Sequence, residues 1–284
     1  MNGIFLINKE EGWTSFDICA KLRRMFNTKK VGHCGTLDPF AEGLMIVCLG
    51  EMTKIIPFLE NHQKTYIATI RLGQETDTLD KTGHITLEKA VPDFSIEEIN
   101  DILKSFIGKS QQLPPMFSAL KKDGVPLYAL AREGIEIERK LRDIEIFSLE
   151  IIDYQKPYLT IKTRVSKGTY IRSLGKDIAE KMNTVGHLVS LKRIEIDKFN
   201  LADSKKVSEI SLGDSKTIEE MLSFLPTKIC SLEEEQKIRN GIRLSLDKGD
   251  LVYLMTKDHQ PLAIYERRSD GFYYTKRGLF NGNN

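Results

Sequence analysis

The longest run of apolar residues in the chain is six residues long, and this length restricts the folds that the chain can adopt. The run, LMIVCL, covers residues 44–49 and ends at Gly50. A helix that spans a bilayer needs about 20 apolar residues, so the sequence predicts no membrane span. Six residues is the usual length of a β-strand. We therefore expect a folded, water-soluble protein built on strands of this length.

Other segments predict both strands and helices. Residues 64–72 alternate polar and apolar side chains, which is typical of a half-buried strand. Residues 144–154 and 159–166 are β-rich and predict a hairpin that turns at Lys156-Pro157. The remaining predictions are strands at 4–8 and 186–197, and helices at 14–26, from Ser95 to about 106, at 53–59, at 128–133 and at 173–181. Together they indicate an α/β (α+β) fold.

The composition of the chain changes near residue 200. Residues 200–235 hold 4 basic and 8 acidic side chains, and within them Pro226 closes the segment MLSFLP at 221–226. Three short β-rich runs follow, at 250–256, 262–266 and 272–275, separated by glycine and proline. Short strands with close turns predict a small β-barrel. We place the domain boundary here, with one domain at 1–226 and a second at 227–284.

The first candidate for chemistry is Asp38, which lies in the glycine-rich segment 32–43, GHCGTLDPFAEG. Glycine allows the backbone to approach a ligand closely. The neighbours of Asp38 are apolar, and a carboxylate that is partly shielded from water is reactive as a nucleophile or base. An Asp-Pro pair also begins many ordinary turns. On this segment alone, the turn is the simpler interpretation.

A second candidate segment, 167–174, places Tyr170 and Arg172 at the start of a helix. Arg172 could pair bidentately with a carboxylate or hold a phosphate, or it could be a surface arginine. Residues 160–200 hold 9 basic and 4 acidic side chains, an excess that suits a polyanion but is also common on a solvated face.

Two further segments have less specific patterns. Residues 112–121 contain Pro114-Pro115 and must be extended, either to line a groove or as a structural crossover. Asp77 and Asp80 are spaced like cation ligands, but the ligand run of an EF-hand is missing.

The cysteines and the N-terminal residues indicate a compartment. Cys19, Cys34, Cys48 and Cys230 are far apart in sequence, which argues against a zinc site and a disulfide framework. The N-terminal apolar run is too short for a signal peptide. We expect a reduced, cytoplasmic protein.

Taken together, these segments resemble one family, the bacterial tRNA pseudouridine synthase B (TruB) family. The matching motifs run in order through residues 1–225 and are KEEGWTS at 9–15, GHCGTLDPFAEG at 32–43, KTY at 64–66, GQETDTLDKTG at 73–83, the segment 112–132, GTYIRSLGKD at 168–177 and GHLVSLKR at 186–193. The sequence departs from the family pattern at Glu10, where proline is usual, and at Ala179, where glycine is usual.

The resemblance implies a pseudouridine synthase fold, with a central mixed, mostly antiparallel sheet flanked by helices and a small C-terminal PUA-like β-barrel. It implies isomerisation of uridine 55 in the T-loop of tRNA, with no cofactor and no metal. The C-terminal domain would contact the acceptor stem, residues 121–142 would clamp the T-arm, and the protein would act as a monomer without an obligate protein partner.

The resemblance also assigns residues of the site. Asp38 matches the catalytic aspartate, Arg172 the arginine paired with it, and Tyr66 the tyrosine that stacks on the target base. The expected substrate contacts are His33, Lys9, Asp80, Tyr170 and Leu191. Two alternatives stay open: an RNA-binding or chaperone module for which Asp38 is dispensable, and a synthase that acts on a different RNA.

Overall fold

The computed structural model describes residues 1–60, 62–118, 121–122, 124–126, 130–131, 134–135 and 137–279. The strands are β1 (Gly3–Lys9), β2 (Val31–Cys34), β3 (Glu42–Leu49), β4 (Lys64–Leu72), β5 (Gln74–Thr76), β6 (Ile85–Glu88), β7 (Gly108–Gln112), β8 (Lys121–Lys122), β9 (Val125–Pro126), β10 (Arg142–Gln155), β11 (Tyr158–Val165), β12 (Gly186–Ile196), β13 (Phe199–Asn200), β14 (Thr227–Ile229), β15 (Leu251–Met255), β16 (Pro261–Arg267) and β17 (Tyr273–Gly278). The helices are α1 (Ser15–Met25), α2 (Ile56–Leu59), α3 (Ile96–Lys104), α4 (Ile171–Lys181), α5 (Ile218–Met221) and α6 (Leu232–Arg239), with 3₁₀ turns at Gly50–Ile55, Leu201–Asp203, Val207–Glu209 and Leu212–Asp214.

A large mixed sheet forms the centre of the molecule. Its strands lie in the order β1-β3-β12-β4-β11-β10-β7, with β2 paired to β3 and β13 paired to β12. The β3–β12 pair is parallel and the other pairs are antiparallel. The predicted mixed, mostly antiparallel sheet is therefore confirmed, as is the hairpin of β10 and β11 around Lys156-Pro157.

Helices α1, α3 and α4 cover one face of this sheet. Each of them presents an apolar stripe, such as Ile18 and Leu22 of α1, to a core that includes Ala68 and Ile70 of β4. The alternation along β4 turns these residues inward, as the sequence predicts. Reciprocal capping boxes start α1, where Thr14 and Asp17 satisfy free backbone N–H groups, and α3.

A smaller sheet, in the order β14-β15-β16-β17, forms the C-terminal part. In the described residues it is an open four-stranded sheet and does not close into the barrel that the sequence suggests. Tyr253 and Ile264 of this sheet belong to one apolar cluster with Leu6, Leu44 and Ile46 of the large sheet. The two parts of the chain therefore share a hydrophobic core.

Some local predictions differ from the structure. The glycine-rich segment begins with a strand, β2, and the helix expected at 53–59 is a 3₁₀ turn followed by the short α2. Most of the helix expected at 128–133 and part of the expected clamp at 121–142 lie outside the described residues. Among the residues that the structure describes, no helix is long and apolar enough to span a bilayer.

Candidate active site

Asp38 lies in the loop between β2 and β3, and backbone contacts fix its position. The Ser15 hydroxyl accepts a hydrogen bond from the Leu37 N–H at 2.9 Å and donates one to the Leu37 carbonyl at 3.0 Å. On the other side, the Gly12 N–H donates to the Pro39 carbonyl at 2.8 Å. The loop is thus held by its main chain, which leaves the Asp38 carboxylate available for other contacts.

Two buried cationic side chains, Lys9 and Arg193, bind the backbone of the same loop. The Lys9 ammonium donates to the Ala41 carbonyl at 2.5 Å and to the Pro39 carbonyl at 3.3 Å. Arg193 of β12 donates from Nε to the Leu44 carbonyl at 2.7 Å and from Nη2 to the Gly35 carbonyl at 3.1 Å. Their carbonyl acceptors belong to the loop and to the start of β3, so the two side chains stabilise the loop's shape.

The Asp38 carboxylate forms a bidentate pair with Arg172, from the first turn of α4. Arg172 Nε lies 2.9 Å from Asp38 Oδ2, and Nη2 donates to Oδ1 at 3.2 Å. Nη2 also donates to the Phe117 carbonyl at 2.7 Å, and Nη1 donates to the Thr78 carbonyl at 2.8 Å. The Arg172 side chain is 4% exposed and that of Asp38 is 33% exposed, so the pair has one buried member and one member open to the cleft.

Asp80 contacts Arg172 as a second, more buried carboxylate. Its Oδ2 lies 3.6 Å from Arg172 Nη1, while Oδ1 accepts hydrogen bonds from the Thr78 hydroxyl and from the Thr82 hydroxyl and N–H. The turn that carries Asp80 is tight, since a Cβ at Gly83 would lie 2.2 Å from an oxygen of Asp77. Arg172 is therefore clamped between two carboxylates and two carbonyls, with Asp80 on the buried side.

A cavity of about 390 Å³ opens over this pair. Its size falls in the range of small-molecule sites, ~300–1,000 Å³. Tyr66 of β4 and Leu191 of β12 contribute buried apolar surface to its wall. The lining also includes His33, Gly35, Lys64, Ser118, Tyr170 and Arg193. The cavity thus combines two carboxylates, Asp38 and Glu60, with flat rings and apolar surface, which suits a planar, polar ligand.

Burial governs the ionisation of the groups at the site. Desolvation raises the pKa of the Asp38 carboxyl above its ordinary value; Arg172 acts in the opposite direction and Asp80 in the same direction. Burial, together with the charge of Arg193, lowers the pKa of His33, which keeps the ring neutral near pH 7. Burial raises the pKa of Tyr170 and lowers the pKa of Lys9 to about 8.

The structure brings the candidate residues from the sequence together, but only some of them line the cavity. Asp38, Tyr66, Arg172, His33, Tyr170 and Leu191 all line the cavity. Lys9 and Asp80 are buried and bind the loop and Arg172, so we propose that they position the catalytic pair instead of contacting substrate.

Sequence reasoning missed two kinds of contact. Gln112 brackets the start of α4, because its amide accepts from the Tyr170 N–H at 2.8 Å and donates to the Tyr170 carbonyl at 3.1 Å. Lys64 and Arg193 lie in segments that the sequence singles out, KTY and GHLVSLKR, yet neither was assigned a role. Both are charged residues at inward positions of a strand, and this pattern in the sequence could have indicated a buried charge with a role.

The cation-loop interpretation of Asp77 and Asp80 finds no support in the geometry. Asp77 Oδ1 accepts the His84 N–H at 2.9 Å, and Asp80 faces a guanidinium. Among the described residues there is no group of three or more His, Cys, Asp or Glu side chains that could hold a metal ion. The four cysteines are buried and free.

Comparison with known proteins places this geometry in a family. The family model described as TruB family pseudouridylate synthase (N terminal domain) matches residues 23–171, more than half of the chain. The chain belongs to the TruB family. It is 38% identical to tRNA pseudouridine synthase B of Hydrogenovibrio crunogenus, covering 100% of this chain and 95% of that protein. It is 44% identical to tRNA pseudouridine synthase B of Clostridium kluyveri, covering 86% of each protein.

Solved structures agree on the fold of this TruB-family chain. An H/ACA RNP bound to a substrate RNA containing 2'-deoxyuridine contains a chain that superposes with a TM-score of 0.74 at 19% identity, covering 98% of this chain and 85% of that chain. A chain of a Cbf5-Nop10-Gar1 complex also gives 0.74, at 21% identity and the same coverage. The pseudouridine synthase fold expected from the sequence is confirmed, and the family's activity is pseudouridine synthesis.

Proposed function

We propose that this protein isomerises uridine 55 in the T-loop of tRNA to pseudouridine, with Asp38 as the catalytic nucleophile. The observation that carries the proposal is the bidentate Asp38–Arg172 pair, which presents one carboxylate to a cavity lined by Tyr66 and Leu191. The relatives named tRNA pseudouridine synthase B support tRNA as the substrate.

The reaction conserves all atoms of the nucleoside except for an exchanged proton. The N1–C1′ bond breaks, the uracil turns, and C5 bonds to C1′; C5 then loses its proton and N1 gains one. No electrons are gained or lost, so the reaction needs no redox partner. The ionised Asp38 provides the nucleophile for the separation of base and sugar, and Arg172 orients it and stabilises its charge.

A uracil inside a folded T-loop is stacked and must leave the stack before it can react. In this proposal Tyr66, in the cavity wall, stacks on the extruded base, and Leu191 adds apolar contact. The neutral His33 ring and Tyr170 complete a pocket that excludes water from the reacting atoms. Tyr66 can also assist removal of the C5 proton.

We further propose how the two parts of the chain divide the work. Residues 1–226 carry the chemistry, and residues 227–284 act as a PUA-like RNA-binding domain that contacts the acceptor stem. The exposed faces of the second part carry Arg243 and Arg268, each stacked on an aromatic ring, which suits contacts with RNA. We propose a monomer that acts in the cytoplasm.

Pseudouridine mapping of bulk tRNA after incubation with the purified protein tests this function. The expected result is a new pseudouridine at position 55 and at no other position. Binding of tRNA without any pseudouridine would favour an RNA chaperone, and modification only of another RNA would favour a synthase with a different substrate. Either outcome would overturn the proposal.

A further inference from the structure

The wall of the active-site cavity carries two cations that the proposed chemistry does not use. Lys64 of β4 and Arg193 of β12 line the cavity, and their residues are 7% and 1% exposed. Among the described residues, neither side chain forms an ion pair with a carboxylate; their contacts are carbonyl oxygens. Buried positive charge without a counter-charge is costly, so the site is suited to receive an anion.

Both side chains keep donors that face no partner in the described structure. The Lys64 ammonium donates to the Glu60 carbonyl at 2.9 Å and to the His62 carbonyl at 2.6 Å, which leaves its third proton. Arg193 uses Nε and Nη2 for carbonyls, while Nη1 makes no hydrogen bond to the described residues. The free donors therefore belong to two different cations in one cavity.

The side chains of Lys64 and Arg193 both lie against Gly35. A Cβ built on Gly35 would lie 3.5 Å from Arg193 Nη1 and 3.9 Å from Lys64 Cε. The backbone of Gly35 has φ +83°, a left-handed conformation that favours glycine, so no side chain fills the space. The result is a small gap in the cavity wall, bordered by two cations and located three residues before Asp38.

The charges around this gap are unbalanced. Burial and the charges of Arg193 and Lys167 lower the pKa of Lys64 to about 8, and the smaller opposing effect of Glu60 does not offset them. The two carboxylates that line the cavity have other partners, since Asp38 pairs with Arg172 and Glu60 lies 3.6 Å from Lys167. An incoming anion would stabilise Lys64 in its charged form.

We propose that Lys64 and Arg193 form a subsite for the backbone phosphodiester adjacent to the target nucleoside. This inference rests on the proposed function, because a nucleoside extruded from RNA into the cavity brings its flanking phosphates with it. A phosphate oxygen has the charge and the acceptor geometry that the free ammonium and guanidinium protons require. The subsite holds the sugar–phosphate end while Tyr66 holds the base.

A thermodynamic cycle between protein and RNA tests the subsite. The RNA is a T-arm stem-loop in which either phosphate flanking the target uridine is replaced, one at a time, by a neutral methylphosphonate. A 2′-deoxyribose precedes the linkage in every modified RNA and in its matched reference, so that the modified linkage survives. Binding is measured by filter binding for the wild-type protein, for Lys64→Gln and for Lys64→Arg.

The expected result is a loss of about tenfold to a hundredfold in wild-type affinity at one of the two positions. The same replacement should cost Lys64→Gln much less, because the partner of the phosphate is already gone. Lys64→Arg, which keeps the charge, should retain the sensitivity. Lys192→Gln is the matched control, since Lys192 is a neighbour of Arg193 that pairs with Glu42, at 3.1 Å, outside the cavity lining.

Equal losses in wild type and in folded Lys64→Gln at both positions would overturn the subsite. Less than about a threefold effect of either methylphosphonate on the wild-type protein would overturn it without any variant. Pseudouridine formation by the wild type on unmodified stem-loop is followed separately. If no pseudouridine forms, the proposed function fails, whereas the binding cycle still reports on the subsite.

Discussion

Replacing Arg172 with lysine keeps one positive charge and removes a planar set of donors. Arg172 donates hydrogen bonds to Asp38, Thr78 and Phe117 and has two contacts with the Asp38 carboxylate, at 2.9 and 3.2 Å. A single ammonium cannot span these acceptors from one point. We expect it to keep at most two of the four contacts and to lose at least one charge-assisted bond to Asp38.

The size of the effect follows from that loss. A hydrogen bond to a charged group is worth ~1.5–3 kcal/mol, and each 1.36 kcal/mol changes a rate by about tenfold. If the lost bond orients Asp38 in the transition state, Arg172→Lys should slow isomerisation by about tenfold to 150-fold. Affinity for tRNA should change much less, because the Arg172 side chain is buried and phosphate contacts dominate RNA affinity.

The assay is single-turnover release of tritium from C5-tritiated uridine at saturating enzyme, beside a filter-binding curve. Arg164→Lys is a matched control, because Arg164 is exposed on β11 and lies 6.0 Å from the Phe147 ring without an ion pair among the described residues. An unchanged single-turnover rate together with collapsed binding in Arg172→Lys would refute the positioning role.

Three further predictions concern pH, metals and the C-terminal part. Burial raises the pKa of Asp38, and the proposed reaction needs its ionised form. A pH–rate profile should therefore show the single-turnover rate falling on acidification, with a midpoint above the ordinary value of 3.8. A midpoint below 3.8 would contradict the reasoning. Full activity should survive exhaustive EDTA treatment on a T-arm stem-loop folded in monovalent salt, and a strict divalent requirement would count against the mechanism. Replacing Arg243 and Arg268 with glutamine should weaken binding of full-length tRNA and lower its salt slope by about one to two, with little effect on the stem-loop; equal losses on both RNAs would exclude an acceptor-stem contact.

Because the two parts of the chain share a core, surface substitutions test the C-terminal part more cleanly than a deletion would. Tyr253 and Ile264 of the C-terminal sheet pack in one cluster with Leu6 and Ile46. Deleting residues from Thr227 would expose that cluster to water, and lost RNA binding would then report on folding.

Periodicity predicts the strands and helices of this chain well because each is a local property. The alternation in β4 and the β-rich runs on either side of Lys156-Pro157 give the correct strands with only small differences at their ends. The C-terminal barrel was suggested by short strands and turns, and closure of a sheet depends on pairings that local patterns do not encode.

The site was predictable only through the family resemblance. Asp38 and Arg172 are 134 residues apart in sequence, and the order of strands in the sheet brings them together. The same strand order places Arg193 beside both Gly43 and Tyr66, where it supports the loop that carries Asp38. A charged residue at an inward strand position indicates a buried charge but not its neighbours, so the contacts of Lys64 and Arg193 became visible only in the structure.

The substitution Asp38→Asn tests the central claim most directly, because it keeps the size of the side chain and removes its charge and nucleophilicity. Asp38 has a raised pKa in the folded protein, so its ionisation costs stability as pH rises through that pKa, and the variant should be no less stable than wild type at neutral pH, with Asp80 still beside Arg172. The deciding measurement is single-turnover tritium release beside a filter-binding curve on the same tRNA. The account predicts near-normal binding and release at the detection limit. Normal binding with release within about tenfold of wild type would show that Asp38 is not the catalytic residue.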